Sequence, residues 1–140
     1  MERLETIDGK NWQPLVAAPW GVLVLAKTDC EHCAAYTAEL LPWLAADRTF
    51  TDVRFGKMYL DVGGLGSFKR ANPWLQDVVD VLPYTLIYRH GDKLAEFPGG
   101  GLDRLIARLT RLRAESTAGP APAPPPDDRE RGGAAKCAGL

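Results

Sequence analysis

Two cysteines three positions apart, Cys30 and Cys33, enclose Glu31 and His32 and are the residues of this chain best suited to covalent chemistry. At that spacing the first turn of a helix brings the two side chains within disulfide reach. One sulfur can then attack a target disulfide as a thiolate, and the other can displace the mixed disulfide that results. The pair follows an apolar run, Val22-Leu23-Val24-Leu25-Ala26, and opens a stretch with helical spacing, so Cys30 falls at a helix N-terminus. Unpaired backbone N–H groups and the positive end of the helix dipole favour ionised sulfur there. Two other chemistries compete for the same residues. A structural zinc site asks for four ligands, but the sequence holds no second pair, His32 lies between the thiols, and His90 is distant and reads as a turn residue. A lone third cysteine, Cys137, is the only one left to complete a metal-handling set. The remaining reading is a pair of buried, inert thiols. Redox exchange accounts for spacing and position together and needs no metal and no cofactor for the exchange itself.

The elements that must position this pair are legible from hydrophobic pattern. Val22 to Ala26 is apolar on both alternating faces, as expected of a central strand covered on both sides. Gly9 to Ala18 is a weak helix candidate with Asp8 or Asn11 as caps. Cys30 to Asp47 reads as a helix from Tyr36, Leu40 and Leu44, with a kink expected at Pro42. A second strand is expected at Val53 to Asp61. After Gly63-Gly64, a polar helical stretch from Leu65 to Asp80 is interrupted at Asn72-Pro73. Tyr84 to Tyr88 and Lys93 to Phe97 form a hairpin around Gly91. Leu102, Leu105, Ile106, Leu109 and Leu112 mark one face of a last helix, with Arg104, Arg108 and Arg111 off it. The predicted fold class is α/β: a mixed sheet of about four strands flanked by helices. Trp12, Trp20, Trp43 and Trp74 are expected as core or interface anchors.

Composition bounds what such a domain does. The 140 residues are 46% apolar and 25% charged, and 17 basic against 18 acidic side chains leave a formal charge of -1. No general attraction to nucleic acid or to an anionic membrane follows from that balance. The longest uncharged apolar stretch, Pro14 to Ala26, is broken by Pro19 and Gly21 and falls short of the roughly 20 residues of a membrane span. The first five residues are acidic and lack an apolar signal core, and three cysteines do not make a disulfide scaffold. A cytoplasmic protein is therefore expected; nothing in the sequence specifies its oligomeric state. The body is read as residues 1–113. Residues 114–140, rich in Pro, Ala and Gly, are read as a disordered tail. A flexible chain from Arg113 to Cys137 has a reach of roughly 25–30 Å, so Cys137 is either a tethered third thiol or an incidental exposed one.

Over about residues 10 to 113 the chain resembles the thioredoxin family. Cys30-Glu31-His32-Cys33 looks like that family's redox centre, which implies Cys30 as the attacking and Cys33 as the resolving thiol. Val81-Leu82-Pro83 before the strand Tyr84 to Tyr88 matches the family's cis-proline landmark. By that likeness Leu82, Pro83 and Gly99 bind an extended substrate, and Gly91 and Gly99 stand at family glycine positions. The resemblance implies a protein or low-molecular-weight disulfide as substrate, a reductase or thiol that recycles the pair, and a part in redox homeostasis. Several residues depart from the pattern. Asp29 stands where Trp is usual, and Glu31-His32 where Gly-Pro is usual. Val24 occupies the place of the buried acid that takes a proton from the resolving thiol, while Lys57 matches the lysine that partners that acid and, without it, is expected to snorkel to solvent. The segment from Cys33 to Pro83 is longer than in a minimal thioredoxin, and Tyr84 replaces the commoner Thr. Asp29, Glu31, His32 and Lys57 are the expected redox-tuning residues; His32 before the second Cys resembles the more oxidising members. The rival reading is a non-catalytic binding or redox-sensing module on the same fold.

Overall fold

The computed structural model describes residues 3–78 and 80–117. They fall into two compact units, one within Met1–Leu102 and the other within Asp103–Leu140. The first unit holds strands β1 (Leu4–Thr6), β2 (Gly21–Ala26), β3 (Arg54–Tyr59), β4 (Tyr84–Arg89) and β5 (Asp92–Pro98). Between them lie helices α1 (Trp12–Ala17), α2 (Glu31–Ala46) and α3 (Gly66–Ala71) and a 3-10 turn, Pro73–Asp77. Helix α4 (Leu102–Thr117) occupies the described part of the second unit, and Leu105 and Leu109 are its buried positions. No helix of the described residues is long and apolar enough to cross a membrane.

The strands form one mixed sheet in the order β1-β3-β2-β4-β5. β2 is central and buried at every position. It runs parallel to β3 and antiparallel to β4, with Val22 opposite Phe55 and Ile87, and Leu23 opposite Gly56 and Leu86. Side chains alternate between faces along a strand. One face therefore gathers Leu23, Leu25, Met58 and Leu86 into a core with Ile7, Leu15 from α1 and Phe68 from α3. The other face is covered by α2: Trp43 lies edge-on to Phe55 at 5.7 Å, and the Tyr36 and Thr85 hydroxyls are 3.4 Å apart.

Among the described residues five strands are present where about four are expected from the sequence. The additional one, β1, is only three residues long and pairs parallel with β3 through Leu4–Phe55, Glu5–Gly56 and Thr6–Lys57. It is held by long-range contacts that no local pattern announces. Arg54 donates two hydrogen bonds to the Glu5 carboxylate, at 2.6 and 2.9 Å. Arg3 reaches the Asp47 carboxylate and the carbonyls of Leu44 and Phe50. The predicted first helix is shorter than its candidate range: Asn11 precedes it, but its side chain accepts from the Asp8 N–H rather than capping the helix. Helix α2 continues through Pro42. The expected body boundary at Arg113 falls inside α4, which extends to Thr117. The remainder of the expected tail, from residue 118 and including Cys137, lies outside the described residues.

The hairpin forms as its sequence predicts. His90 (φ 50°) and Gly91 (φ 92°) are both left-handed, the conformation that a two-residue turn matched to strand twist requires. The tryptophans serve as anchors: Trp20 is buried, and Trp12 stands edge-on to Phe68 at 5.2 Å.

Gly21, the first residue of β2, is where α1 crosses closest, since a Cβ there would collide with the Leu15 carbonyl oxygen. Backbone cannot yield as a side chain does, so Gly21→Ala is expected to destabilise by about 1–3 kcal/mol. At Gly63 a Cβ meets nothing within 4 Å, and Gly63→Ala is expected to stay within about 0.5 kcal/mol of the parent. Urea midpoints of the two variants check this; equal midpoints contradict the close crossing.

Candidate active site

β2 ends at Ala26, and three residues, Lys27 to Asp29, lead to Cys30, which immediately precedes α2. Cys30 is the N-cap of α2, with extended backbone (φ -151°, ψ 110°), and its Sγ accepts the Cys33 N–H at 3.2 Å. Its carbonyl accepts the first helical bond, from the Ala34 N–H at 3.0 Å. A sulfur seated as an N-cap acceptor meets the unpaired donors of the first turn directly. Cys30 and Cys33 are joined as a disulfide, with their Cα atoms 5.2 Å apart. Cys30 is half-buried and Cys33 buried, so only the first sulfur is presented outward.

The link itself is clamped. The Thr28 N–H donates to both Asp61 carboxylate oxygens at 3.1 and 3.2 Å, and the Thr28 hydroxyl makes a short bond to the same group. Those bonds, the hydroxyl's first, hold the Asp61 carboxyl below the usual carboxylate range. Asp61 follows β3, whose last pairing step to β2 is carried on by the Leu60 N–H to Ala26 carbonyl bond at 2.8 Å. The loop before Cys30 is thus tied to the neighbouring strand end.

The Leu82–Pro83 peptide is cis, as the resemblance implies. The buried Pro83 carbonyl accepts the Gly99 N–H at 2.7 Å, and Gly99 has φ 79°, a conformation in which a side chain is strained. Tyr84, next in sequence, donates to Glu96 at 2.6 Å, and Glu96 in turn pairs with Lys93 at 3.1 Å. Burial, with the Glu96 hydrogen bond and charge added, pushes the Tyr84 phenol up to about 12. The bond from Tyr84 outweighs burial at Glu96 and holds that carboxyl below its ordinary value. The residue after the cis-proline is therefore a fixed hydrogen-bond donor.

A surface groove of about 470 Å³ opens in front of the disulfide. Cys30, Asp29, Glu31, His32 and Leu82 line it, and so do Lys27 and Asp80, which the sequence reading did not single out. Behind the disulfide is a second cavity of about 50 Å³, onto which Cys30, Cys33, Lys27, Lys57 and Tyr59 all open. Lys57, half-buried, thus shares this cavity with both cysteines. Its ammonium donates to the Thr37 hydroxyl at 3.1 Å and lies 4.8 Å from the Tyr59 ring centroid. Thr37 also donates to the Cys33 carbonyl at 3.0 Å. Val24 is buried and faces Lys57 and Thr85 across the strands, so no carboxylate enters there.

Of the residues expected to act, Cys30, Asp29, Glu31, His32 and Leu82 share the groove, Pro83 and Gly99 are hydrogen-bonded beside it, and Lys57 sits behind. Thr28, Thr37 and Asp61 were not anticipated. Thr37 carries a detectable signal, a hydroxyl four residues after Cys33 that can bond back to its carbonyl; Asp61 carries none. Among the described residues, no three His, Cys, Asp or Glu side chains converge to hold a metal ion.

No family model and no curated protein sequence matches the chain. Solved structures do. Thioredoxin f2 of Chlamydomonas reinhardtii matches over 79% of this chain and 96% of its own at 23% identity, with a TM-score of 0.63. Spinach chloroplast thioredoxin f (short form) covers 79% and 93% at 17% identity, TM-score 0.63. Oxidised thioredoxin O2 of Arabidopsis thaliana covers 79% and 95% at 20% identity, TM-score 0.61. The chain has the thioredoxin fold, with a paired Cys-X-X-Cys at the start of α2.

The Asp61 clamp predicts a local effect. With its carboxyl held below the usual range, the clamp is intact at neutral pH and is lost only as pH falls through that depressed value. Asp61→Asn is expected to speed exchange of the Thr28 amide at least about tenfold while β2 amides stay protected. Unchanged Thr28 exchange contradicts the clamp.

Proposed function

We propose that this chain is a thiol–disulfide oxidoreductase acting on protein or low-molecular-weight disulfides through Cys30 and Cys33, with a part in redox homeostasis in the cytoplasm. One observation carries the reading: a disulfide whose outer sulfur caps a helix N-terminus and opens onto a groove beside a cis-proline. In the reduced form the same backbone donors and dipole stabilise a Cys30 thiolate. That thiolate attacks one sulfur of the substrate; the S–S bond breaks, and the other substrate sulfur leaves with the electron pair and takes a proton from solvent. Cys33, as thiolate, then attacks Cys30 Sγ. The Cys30–Cys33 bond forms, the second substrate sulfur departs with its pair, and it too is protonated. Two electrons have passed from the protein to the substrate.

Leu82, Pro83 and Gly99 are the proposed substrate-backbone contacts, supported by the exposure of Leu82 to the groove and the bond joining Gly99 to Pro83. Asp29, Glu31 and His32 line the groove beside Cys30 and are the proposed tuning residues on that side. A protein reductase or a small thiol is the proposed recycling partner. One structural neighbour is a thioredoxin f2 solved in complex with ferredoxin:thioredoxin reductase, matching at 16% identity and a TM-score of 0.63. The apolar Val24 favours a second reading, a binding or redox-sensing module that uses the fold without turnover.

Turnover of a model protein disulfide in the presence of excess dithiol separates the two. Cys30→Ser is expected to fall to the uncatalysed rate, and Cys33→Ser, reduced and freed of dithiol before mixing, to accumulate a mixed disulfide through Cys30; activity of Cys30→Ser equal to the parent favours the module. With His32 in place of proline the pair is expected to be less reducing than a typical thioredoxin. Equilibration against a glutathione series should then give a midpoint above about −270 mV, and a value at or below that figure contradicts the assignment.

A further inference from the structure

The groove in front of the disulfide is lined from two segments, one around Cys30 and one leading to the cis-proline. Its charge is one-sided. Asp29, Glu31 and Asp80 supply carboxylates, and Lys27 is the one lysine. Counting His32 as a cation still leaves an excess of acid. All of these side chains are exposed, and among the described residues Asp29, Glu31 and Asp80 enter no salt bridge. Lys27 is also drawn on elsewhere: after the bond from the Thr28 hydroxyl, its charge helps hold the Asp61 carboxyl below the ordinary range. The chain as a whole carries a formal charge of only -1, so the acidity of the groove is a local feature.

The reactive disulfide, not the carboxylates, makes this groove a site; the carboxylates bear on what can approach it. Asp29 and Glu31 are the chain neighbours of Cys30, so their Cα atoms lie about 3.8 Å from that of the attacking residue. Asp80 comes from the other segment, two residues before Leu82, which also lines the groove. A substrate that brings its sulfur to Cys30 with its chain along Leu82 meets carboxylates from both segments. The volume of about 470 Å³ falls among binding clefts of roughly 300–1,000 Å³, so the groove takes more of a substrate than its two sulfurs. Leu82, half-buried, is the one large apolar side chain among the described lining residues. Charge is therefore the property by which this groove distinguishes one disulfide from another. A cleft lined by one sign of charge concentrates ligands of the opposite sign.

We propose that Asp29, Glu31 and Asp80 make this groove selective for cationic disulfides: a cysteine flanked by Lys or Arg in a polypeptide, or a small disulfide amine. The proposal rests on the exchange activity proposed above and leaves its bond changes as balanced there. The carboxylates draw the cationic substrate in before the sulfurs meet and hold it while Cys30 attacks. By the same charge they repel an anionic disulfide. Because the groove is open to solvent, the selectivity weakens as salt is added. A change in the acidity of the Cys30 thiol alters attack on every disulfide alike; selection by the groove alters the ratio between disulfides of opposite charge.

The test uses the full chain with Cys137→Ser, reduced and freed of dithiol, then mixed with disulfides of different charge. Cystamine (cationic), hydroxyethyl disulfide (neutral) and dithiodipropionate (anionic) form one series; peptide disulfides with the cysteine flanked by Lys or by Glu form the other. Samples quenched in acid are alkylated and weighed, which gives the rate of oxidation of the pair. Each rate is divided by that of the same disulfide with mercaptoethanol, so that the acidity of the leaving thiol drops out. At low salt the normalised cation-to-anion ratio is expected to reach about tenfold or more. Near 1 M salt, where the screening length is about 3 Å, it should fall to within about twofold. Asp80→Asn alone is expected to lower the ratio about two- to threefold, and the triple variant Asp29→Asn, Glu31→Gln, Asp80→Asn to bring it close to one. A preference seen in the peptides alone supports the proposal with a polypeptide as source, and one seen in the small disulfides alone supports it with a small amine. Equal normalised rates in both series, or an unchanged ratio in the folded triple variant, overturn it. If the triple variant does not fold, a ratio in the parent that is insensitive to salt overturns it equally. Failure of the reduced parent to become oxidised by any of the disulfides removes the exchange reading, and this inference with it. Oxidation by all of them at equal normalised rates removes this inference alone.

Discussion

The hydrogen bond from the Cys33 N–H to Cys30 Sγ is the contact on which the rest of the site depends. It exists because the chain leaves the most buried strand of the sheet and, after four intervening residues, begins a sixteen-residue helix. A helix of that length has its first N–H groups unpaired by construction. Here a sulfur, rather than a hydroxyl or carboxylate, sits in the capping position. The usual caps, Ser, Thr, Asp and Asn, offer stronger acceptors, so a cysteine there gives up some helix stability and gains reactivity. That exchange is tolerable because α2 does not depend on its cap. Leu40 and Leu44 are fully or nearly fully buried, and each such side chain contributes roughly 1.5–3 kcal/mol, more than a cap does.

Placement of the cap is a property of the sheet. β2 has partners on both sides and apolar cover on both faces, so its C-terminal end has little freedom. Asp61 extends that constraint beyond the last strand pair by holding Thr28, two residues before the sulfur. The cis peptide at Leu82–Pro83 lies just before β4, the antiparallel neighbour of β2, which brings the proline to the same end of the sheet as the helix start. Three segments distant in sequence therefore meet because β2 and β3 end where β4 begins. Chemistry at the edge of a sheet is cheap to position when the sheet itself is rigid.

Much of this was legible beforehand, for a physical reason. β2, α2 and the β4–β5 hairpin are specified by local pattern: uninterrupted apolar residues, helical spacing, and a turn that needs left-handed backbone at Gly91. The redox pair and Pro83 stand at the junctions of these elements and were readable with them. The missing parts are long-range. β1 is three residues whose pairing depends on Arg54 and Arg3 reaching across the sheet, and neither contact has a local signature. Asp61 is one more acid after a strand until Thr28 folds back onto it. Lys57 was expected to reach solvent; it is instead half-buried, because Thr37 and the Tyr59 ring hold its ammonium, and neither contact has a local signature.

Val24 and Lys57 are best understood together. A buried carboxylate at position 24 would need an ionic partner to offset its desolvation, and such a pair is seldom worth more than a well-packed apolar side chain. With valine there, the strand packs without that cost, and the Lys57 ammonium has a hydroxyl and an aromatic face as its neighbours instead of an anion. Neither neighbour cancels its charge. The same valine that spares the strand a buried carboxylate therefore leaves the cation beside it without an anionic partner among the described residues, held only by a hydroxyl and a ring.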